Sequence, residues 1–390
     1  FAFTRGSSAT RINSQGLIET VASGVSRLNY PLIDGVVNGC PSHLLEPSRS
    51  NIIPYSESFS NAAWVKGSST VNANQVISPD GTLNADLMVT SAAGGGVSDG
   101  IGGSGDYSFS VFVKYKDIQF IRLRSTSSYA WFDIENGSVG TTISALDAKI
   151  EDYGNGWYRC TLVGNNTNTI VQVTCTEQNS SNVGFGGVYL WGAQFEAGSY
   201  ETSYIKSDAG GTVTRSAETA NGAGDASTFN DSEGVLMAEI SALSDLDDTR
   251  YVTLNEGTSS VNRLSIQYRN SGELRLYNGG TSTAQMIYRD TSLDLSEKIK
   301  IAIKYGTTSS SYKVYINGFS KTIESAFVAT AMSGLDNLKF TDTDGSGNPF
   351  YGNTKQIQYY DSALNDTELE TLTSWTSFTD MANGQLYSIK

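Results

Sequence analysis

Histidine occurs once in this 390-residue chain, at His43, and cysteine three times, at Cys40, Cys160 and Cys175. A Ser-His-Asp or Cys-His catalytic site would have to be built on His43, and no catalytic pattern surrounds it. His43 reads as a solvated or capping residue, and histidine-rich metal sites are excluded by count. An odd cysteine number excludes a disulfide framework. Cys160 and Cys175 flank an Asn/Thr-rich turn, and two readings stand: two buried thiols, or a disulfide across a symmetric hairpin. Charged residues make up only 17%, with Lys+Arg 26 against Asp+Glu 40 and a formal net charge of -14. No basic run exists to displace counterions from phosphates, which excludes nucleic acid as a partner and argues against an anionic membrane surface. No stretch approaches the ~18 apolar residues of a membrane-spanning helix. The first residue is Phe1, read as a processed or truncated start.

What the chain has is glycine (40), tyrosine (21) and short β-branched runs, with 11% aromatic residues. Helical periodicity is nearly absent. Runs such as Tyr107–Val113, Ala130–Ile134 and Val188–Phe195 close on Gly, Asn or Asp, the pattern of a sandwich or jelly roll. A second series runs from Val235–Ile240 to Thr354–Tyr360. Asn317-Gly318 supplies two positive φ values and predicts a type I′ hairpin. One helix is expected, from Asp366 to Leu372, capped by Asn365 or Asp366. The expected architecture is all-β: two tandem antiparallel jelly-roll/concanavalin-A-like sandwiches with a short β-rich N-terminal lead-in. The boundaries read as a 1–50 lead-in, a 51–206 jelly roll, a 207–231 linker, a 232–375 sandwich and a 376–390 tail. The lead-in has too few apolar residues for its own core and should pack on the next domain or a neighbouring subunit.

Particular motifs then become recognisable. Phe3-Thr4-Arg5-Gly6-Ser7-Ser8-Ala9-Thr10-Arg11 and Gly16-Leu17-Ile18-Glu19 resemble the lead-in of tailed-bacteriophage virion proteins. Leu44-Leu45-Glu46-Pro47 and Asn51-Ile52-Ile53-Pro54-Tyr55 continue the match. It runs on through Gly154-Asn155-Gly156-Trp157-Tyr158-Arg159 to Leu190-Trp191-Gly192-Ala193-Gln194-Phe195-Glu196. Over residues 1–206 this string resembles a phage head spike/fibre domain, a jelly roll of the carbohydrate-binding-module type. Val314-Tyr315-Ile316-Asn317-Gly318 and Gln356-Ile357-Gln358-Tyr359-Tyr360-Asp361 resemble a laminin-G/concanavalin-A-like sandwich, a fold that does not carry function alone.

The resemblance implies a non-enzymatic virion structural protein on the particle surface, a fibre, spike or decoration of capsid or tail. Its partners would be other virion proteins and copies of itself, a trimer favoured, without membrane insertion. The alternative is a lectin-like module that reads host polysaccharide; a glycan depolymerase comes third. Concanavalin-like glycanases carry a Glu-x-Asp-x-x-Glu string that this chain lacks, so no catalytic residue is assigned. For sugar binding, Tyr129, Trp131 and Asp133 share one strand face, opposite Ala130, Phe132 and Ile134 in the expected core. Trp64, Trp157 and Trp191 are expected in the core. Asp342, Asp344 and Asn348 sit in a Gly-rich loop with oxygen ligands suited to calcium, the one cofactor suggested, or simply in a turn. Asp245, Asp247 and Asp248 form a second acidic cluster.

Overall fold

A computed structural model describes the chain except residues 167–168, 182, 245–247, 280–283, 343–346, 376–380 and 382–390. The architecture is all-β. The first sandwich packs two six-stranded antiparallel sheets. One runs in the order Ser69–Ile77, Leu83–Thr90, Gly186–Ala197, Gly105–Tyr115, Trp157–Asn166, Asp147–Asp152; the other runs Ser138–Ile143, Ser128–Asp133, Phe120–Ser125, Thr169–Thr176, Gly96–Ile101, Val65–Gly67. Strand alternation explains the core: Phe109, Val111 and Val113 of one sheet meet Ile121, Leu123, Ala130 and Phe132 of the other. Trp64, Trp157 and Trp191 are each 1% exposed, as expected of core residues.

Cys160 lies on the Trp157–Asn166 strand and Cys175 on Thr169–Thr176, and these strands belong to opposite sheets. The chain crosses between layers at the turn instead of folding as a flat hairpin. The two cysteines are therefore not cross-strand neighbours, and both are free and buried.

The second sandwich has a seven-stranded sheet and a five-stranded one. The five-stranded sheet runs Ala284–Asp290, Glu273–Gly279, Arg263–Arg269, Arg250–Asn255, Asn337–Lys339. The hairpin forms as expected, with Lys313–Ile316 paired to Phe319–Lys321 across Asn317 (φ 50) and Gly318 (φ 85). The helix spans Asp366–Thr373 with a capping box between Asn365 and Glu368.

The lead-in completes this second sandwich. Ser42–Leu45 adds to the edge of the seven-stranded sheet beside Gly352–Tyr360, and Arg27–Asn29 adds outside it. Residues 207–231 return to the lead-in: Val213–Arg215 pairs with Arg49–Asn51, and Thr219–Asn221 with Ala2–Thr4. A tight Asp34-Gly35 turn docks on the first sandwich, where a Cβ at Gly35 would stand 2.5 Å from the Gly154 amide nitrogen. His43, expected solvated or capping, sits half-buried against Phe3, and its Nε2 has no hydrogen-bond partner among the described residues.

Five charged side chains fasten these segments. Glu218 accepts from Arg5 Nη1 at 2.6 Å, from Arg27 Nε at 2.9 Å and from the Glu46 amide at 2.9 Å. Glu46 pairs with Arg27 and Arg215, each at 2.8 Å, and accepts from the Ser203 amide at 2.7 Å. None of the five side chains is more than 2% exposed. Burial alone would push the Glu46 carboxyl upward; Arg215, Arg27 and the Ser203 donors outweigh it and hold it down at about 2.

Glu218→Gln leaves Arg5 and Arg27 short of a carboxylate in a dry site and should cost ~3–5 kcal/mol in chemical denaturation. Glu19→Gln, at the exposed Arg11–Glu19 pair, should cost under ~1 kcal/mol. Because Glu46 is depressed on folding, its contribution is complete above about pH 4.5 and is lost as pH falls toward 2. Equal losses from the two substitutions would contradict this assignment.

Candidate functional site

The outer face of the Ser128–Asp133 strand carries the residues singled out for sugar binding. Alternation sends Ala130, Phe132 and Ile134 into the core and Tyr129, Trp131 and Asp133 outward. Tyr129 and Trp131 come together, ring centroids 6.2 Å apart at 30°. Trp131 is only 4% exposed, and its indole N–H donates to the Ser181 carbonyl, so its ring does not offer the open stacking face expected of it. Tyr129 is half-buried, with exposed Ile143 opposite it in the register. The Asp133 carboxylate is committed to its own turn. It accepts from the Glu135 and Asn136 amides at 3.1 and 3.0 Å, from Asn136 Nδ2 at 2.9 Å and from Gln119 Nε2 at 2.8 Å.

The register adds four residues that the sequence reading passed over. Arg122 lies opposite Trp131 and Thr174, and Arg124 opposite Tyr129 and Gln172. The Arg122 guanidinium stands 5.3 Å from the Tyr129 ring centre and 5.7 Å from that of Trp131; Arg124 stands 5.6 Å from Tyr129. Arg122 Nη2 makes long bonds to Gln172 Oε1 (3.2 Å) and Thr174 Oγ1 (3.3 Å), and its buried Nε has no partner among the described residues. Among the described residues neither arginine has a carboxylate within ion-pair distance. Burial opposes the charge of Arg122 and Arg124 adds repulsion, while Tyr129 offsets part of it. The signal was available: Phe120-Ile121-Arg122-Leu123-Arg124 alternates as cleanly as its neighbour, placing both arginines beside Tyr129. The site thus offers a half-open aromatic ring, a half-buried guanidinium without an ion-pair partner among the described residues, and an amide. That set suits a sugar ring bearing a carboxylate.

A cleft of about 890 Å³ opens between the lead-in and both sandwiches, lined in part by Tyr30, Tyr158, Arg159 and Asn353. Within it Lys149 bridges Glu151 at 2.8 Å and Glu201 at 2.9 Å. Burial would raise Glu201; Lys149 and Arg159 reverse this and hold it ionised. Glycoside hydrolysis needs one carboxyl kept protonated as the acid. At Glu201 the Lys149 ammonium does the opposite.

In the loop singled out for calcium, Asp342 and Asn348 meet, and Asp344 lies outside the described residues, as do Asp245 and Asp247. Asp342 accepts from Asn348 Nδ2 at 2.9 Å and from the Gly347 amide at 3.1 Å, so neutral donors occupy both its oxygens. Among the described residues no group of three His, Cys, Asp or Glu side chains is placed to hold a metal.

No family model matches the chain, and no curated protein matches it. Among solved structures, the Ruminococcus gnavus IT-sialidase CBM40 matches at 16% identity and TM-score 0.31, over 40% of this chain and 94% of its own. A heptameric SAP-like pentraxin from Limulus polyphemus matches at 12% identity and TM-score 0.31, over 40% of this chain and 76% of its own.

Because the Asp342 carboxylate accepts from Gly347 and Asn348, excess EDTA should leave the melting midpoint unchanged. A calcium-dependent rise of several degrees would show a loaded site, since a ligand bound only to the folded state must raise the midpoint.

Proposed function

We propose that this protein is a non-enzymatic glycan-binding protein whose first sandwich takes acidic sugars on the outer face around Arg122. One observation carries the reading: a half-buried arginine lying against two aromatic rings on the outer sheet face, with no carboxylate among the described residues to pair it. A carboxylated sugar supplies that missing partner in bidentate geometry while Tyr129 covers ring C–H groups.

The motif string over residues 1–206 supports placing this module on the surface of a tailed-phage particle, where it contacts host polysaccharide. In that setting its partners are other virion proteins and further copies of the chain, a trimer favoured. Copies held side by side would convert weak single contacts into avid attachment. The charge-compensated Lys149 cleft favours binding over hydrolysis.

Screening the full chain on an array of acidic and neutral bacterial glycans tests the reading. Acidic glycans should be retained, and Arg122→Gln should weaken them about tenfold or more, the share of a charge-assisted bidentate contact. Retention indifferent to sugar charge, or to Arg122→Gln in a folded variant, would refute it.

A further inference from the structure

The strand Asp147–Asp152 closes one sheet of the first sandwich, and among the described residues it pairs on one side alone, with Trp157–Asn166. The Tyr153 amide donates to the Trp157 carbonyl at 2.8 Å, which sets the parity of the ladder. Asp147, Lys149 and Glu151 therefore bond to the neighbouring strand, and Ala148, Ile150 and Asp152 turn their main-chain groups to the free edge. Three other edges are blunted. On Ser138–Ile143 the Thr141 amide donates to Asn179 Oδ1 at 2.6 Å, and on Ala284–Asp290 the Ile287 carbonyl accepts from the Glu324 amide at 2.9 Å. Ser69–Ile77 is broken by a bulge around Asn74 (φ 54). Along Asp147–Asp152 the Ala148 amide is held by Asp147 Oδ1 at 2.8 Å, and among the described residues no group takes the main chain of Ile150.

This edge opens into a recess. Lys149, Ile150, Glu151 and Asp152 form part of the wall of the cleft of about 890 Å³, which Tyr30 and Leu32 of the lead-in also line. Tyr30 and Leu32 pack with Ile12, Ile18 and Tyr153, so this part of the cleft is apolar. Lys149 bridges Glu151, two residues on and thus on the same sheet face, and Glu201, which holds its side chain against that face and off the edge. Asp152 lies at the end where the Asp34-Gly35 turn docks. Its Oδ1 accepts from the Gly154 amide at 2.7 Å, and among the described residues no cation stands within ion-pair distance of it.

We propose that this cleft receives an extended segment of another protein, which adds as a strand beside Asp147–Asp152. An added strand lies ~4.8 Å from its neighbour and bonds through every second residue, the repeat at which Ala148, Ile150 and Asp152 present their main chain. Six residues span ~20 Å at the rise of an extended chain. Side chains of the segment that turn toward Tyr30 and Leu32 are apolar, and a lysine or arginine at one end meets Asp152. Main-chain recognition suits a cleft whose own lysine is already taken by two glutamates. The walls exclude the same edge of a second copy, because that edge is flanked by its own lead-in and second sandwich, whereas a single extended segment is slender enough to enter. The segment does not use Arg122, so protein and glycan are held at different places.

The test measures retention of the full chain on an array of terminally blocked hexapeptides that alternate threonine and valine and end in lysine, leucine or glutamate. Lysine-ended peptides should be retained and glutamate-ended ones not. Methylating the main-chain nitrogens of one alternate set of peptide residues should abolish retention, and methylating the other set should leave it, a signature that side-chain recognition does not give. Ala148→Pro places a proline ring on the free edge without removing a ladder bond, and should weaken retention about tenfold or more at an unchanged melting midpoint. Asp152→Asn keeps the acceptor for the Gly154 amide and should reduce the preference for lysine about fivefold, which keeps the test valid if the proline variant misfolds. Arg122→Gln should bind the peptides as wild type does. The proposal is overturned if no peptide is retained, if both methylated sets bind alike, or if folded Ala148→Pro binds as wild type does. A dimer that Ala148→Pro alone converts to monomer would assign the edge to a second copy and overturn it as well.

Discussion

The buried cluster of Arg5, Arg27, Glu46, Arg215 and Glu218 is the constraint on which the arrangement of this molecule rests. Each sandwich has its own apolar core, and a smaller cluster packs Ile12 and Ile18 of the lead-in against Phe112, Trp157 and Trp191 of the first. Arg5, Arg215 and Glu218 lie on or just beside strands that tie the lead-in and residues 207–231 together, while Arg27 lies on, and Glu46 directly follows, a strand of the second sandwich. Ser203, just past the end of the first, donates to the same carboxylate. Removing these ions from water costs several kcal/mol each before their mutual attraction returns it. Net stabilisation is therefore modest, but any register that separates one partner strands a charge in a dry site. The cluster selects the arrangement more than it strengthens it.

That arrangement leaves one outward sheet face with unusual chemistry. The first sandwich directs aliphatic residues inward, and its outward parity holds Arg122 and Arg124 beside Tyr129, with no carboxylate in ion-pair distance among the described residues. In the cleft and beside it, by contrast, Lys149 takes two glutamates and Lys206 takes Glu57 and Asp208. The large cleft holds more volume, yet its lysine is already satisfied, whereas the open face holds cations that await a partner.

Local chemistry was legible in the sequence; long-range pairing was not. The Asn317-Gly318 hairpin and the Asn365-capped helix follow from backbone preferences of a few residues, and both form where they were expected. The outward parity of Tyr129 and Trp131 followed from strand alternation alone. The burial of Trp131 depends on Ser181, fifty residues away, and no periodicity reports such a contact. The same holds for the layer change between Cys160 and Cys175. The ion cluster joins residues separated by as many as 213 positions, and isolated Arg and Glu carry no mark of their partners. Pairing of the lead-in with the second sandwich is invisible for the same reason: a strand of four residues, Ser42–Leu45, looks like any other short strand.

A crystal structure of the full chain soaked with a uronic-acid oligosaccharide tests the central claim most directly. The account predicts the sugar carboxylate against the Arg122 guanidinium, with a pyranose ring over Tyr129. An oligosaccharide seated in the cleft between Lys149 and Asn353, with the Arg122 face bare, would contradict it.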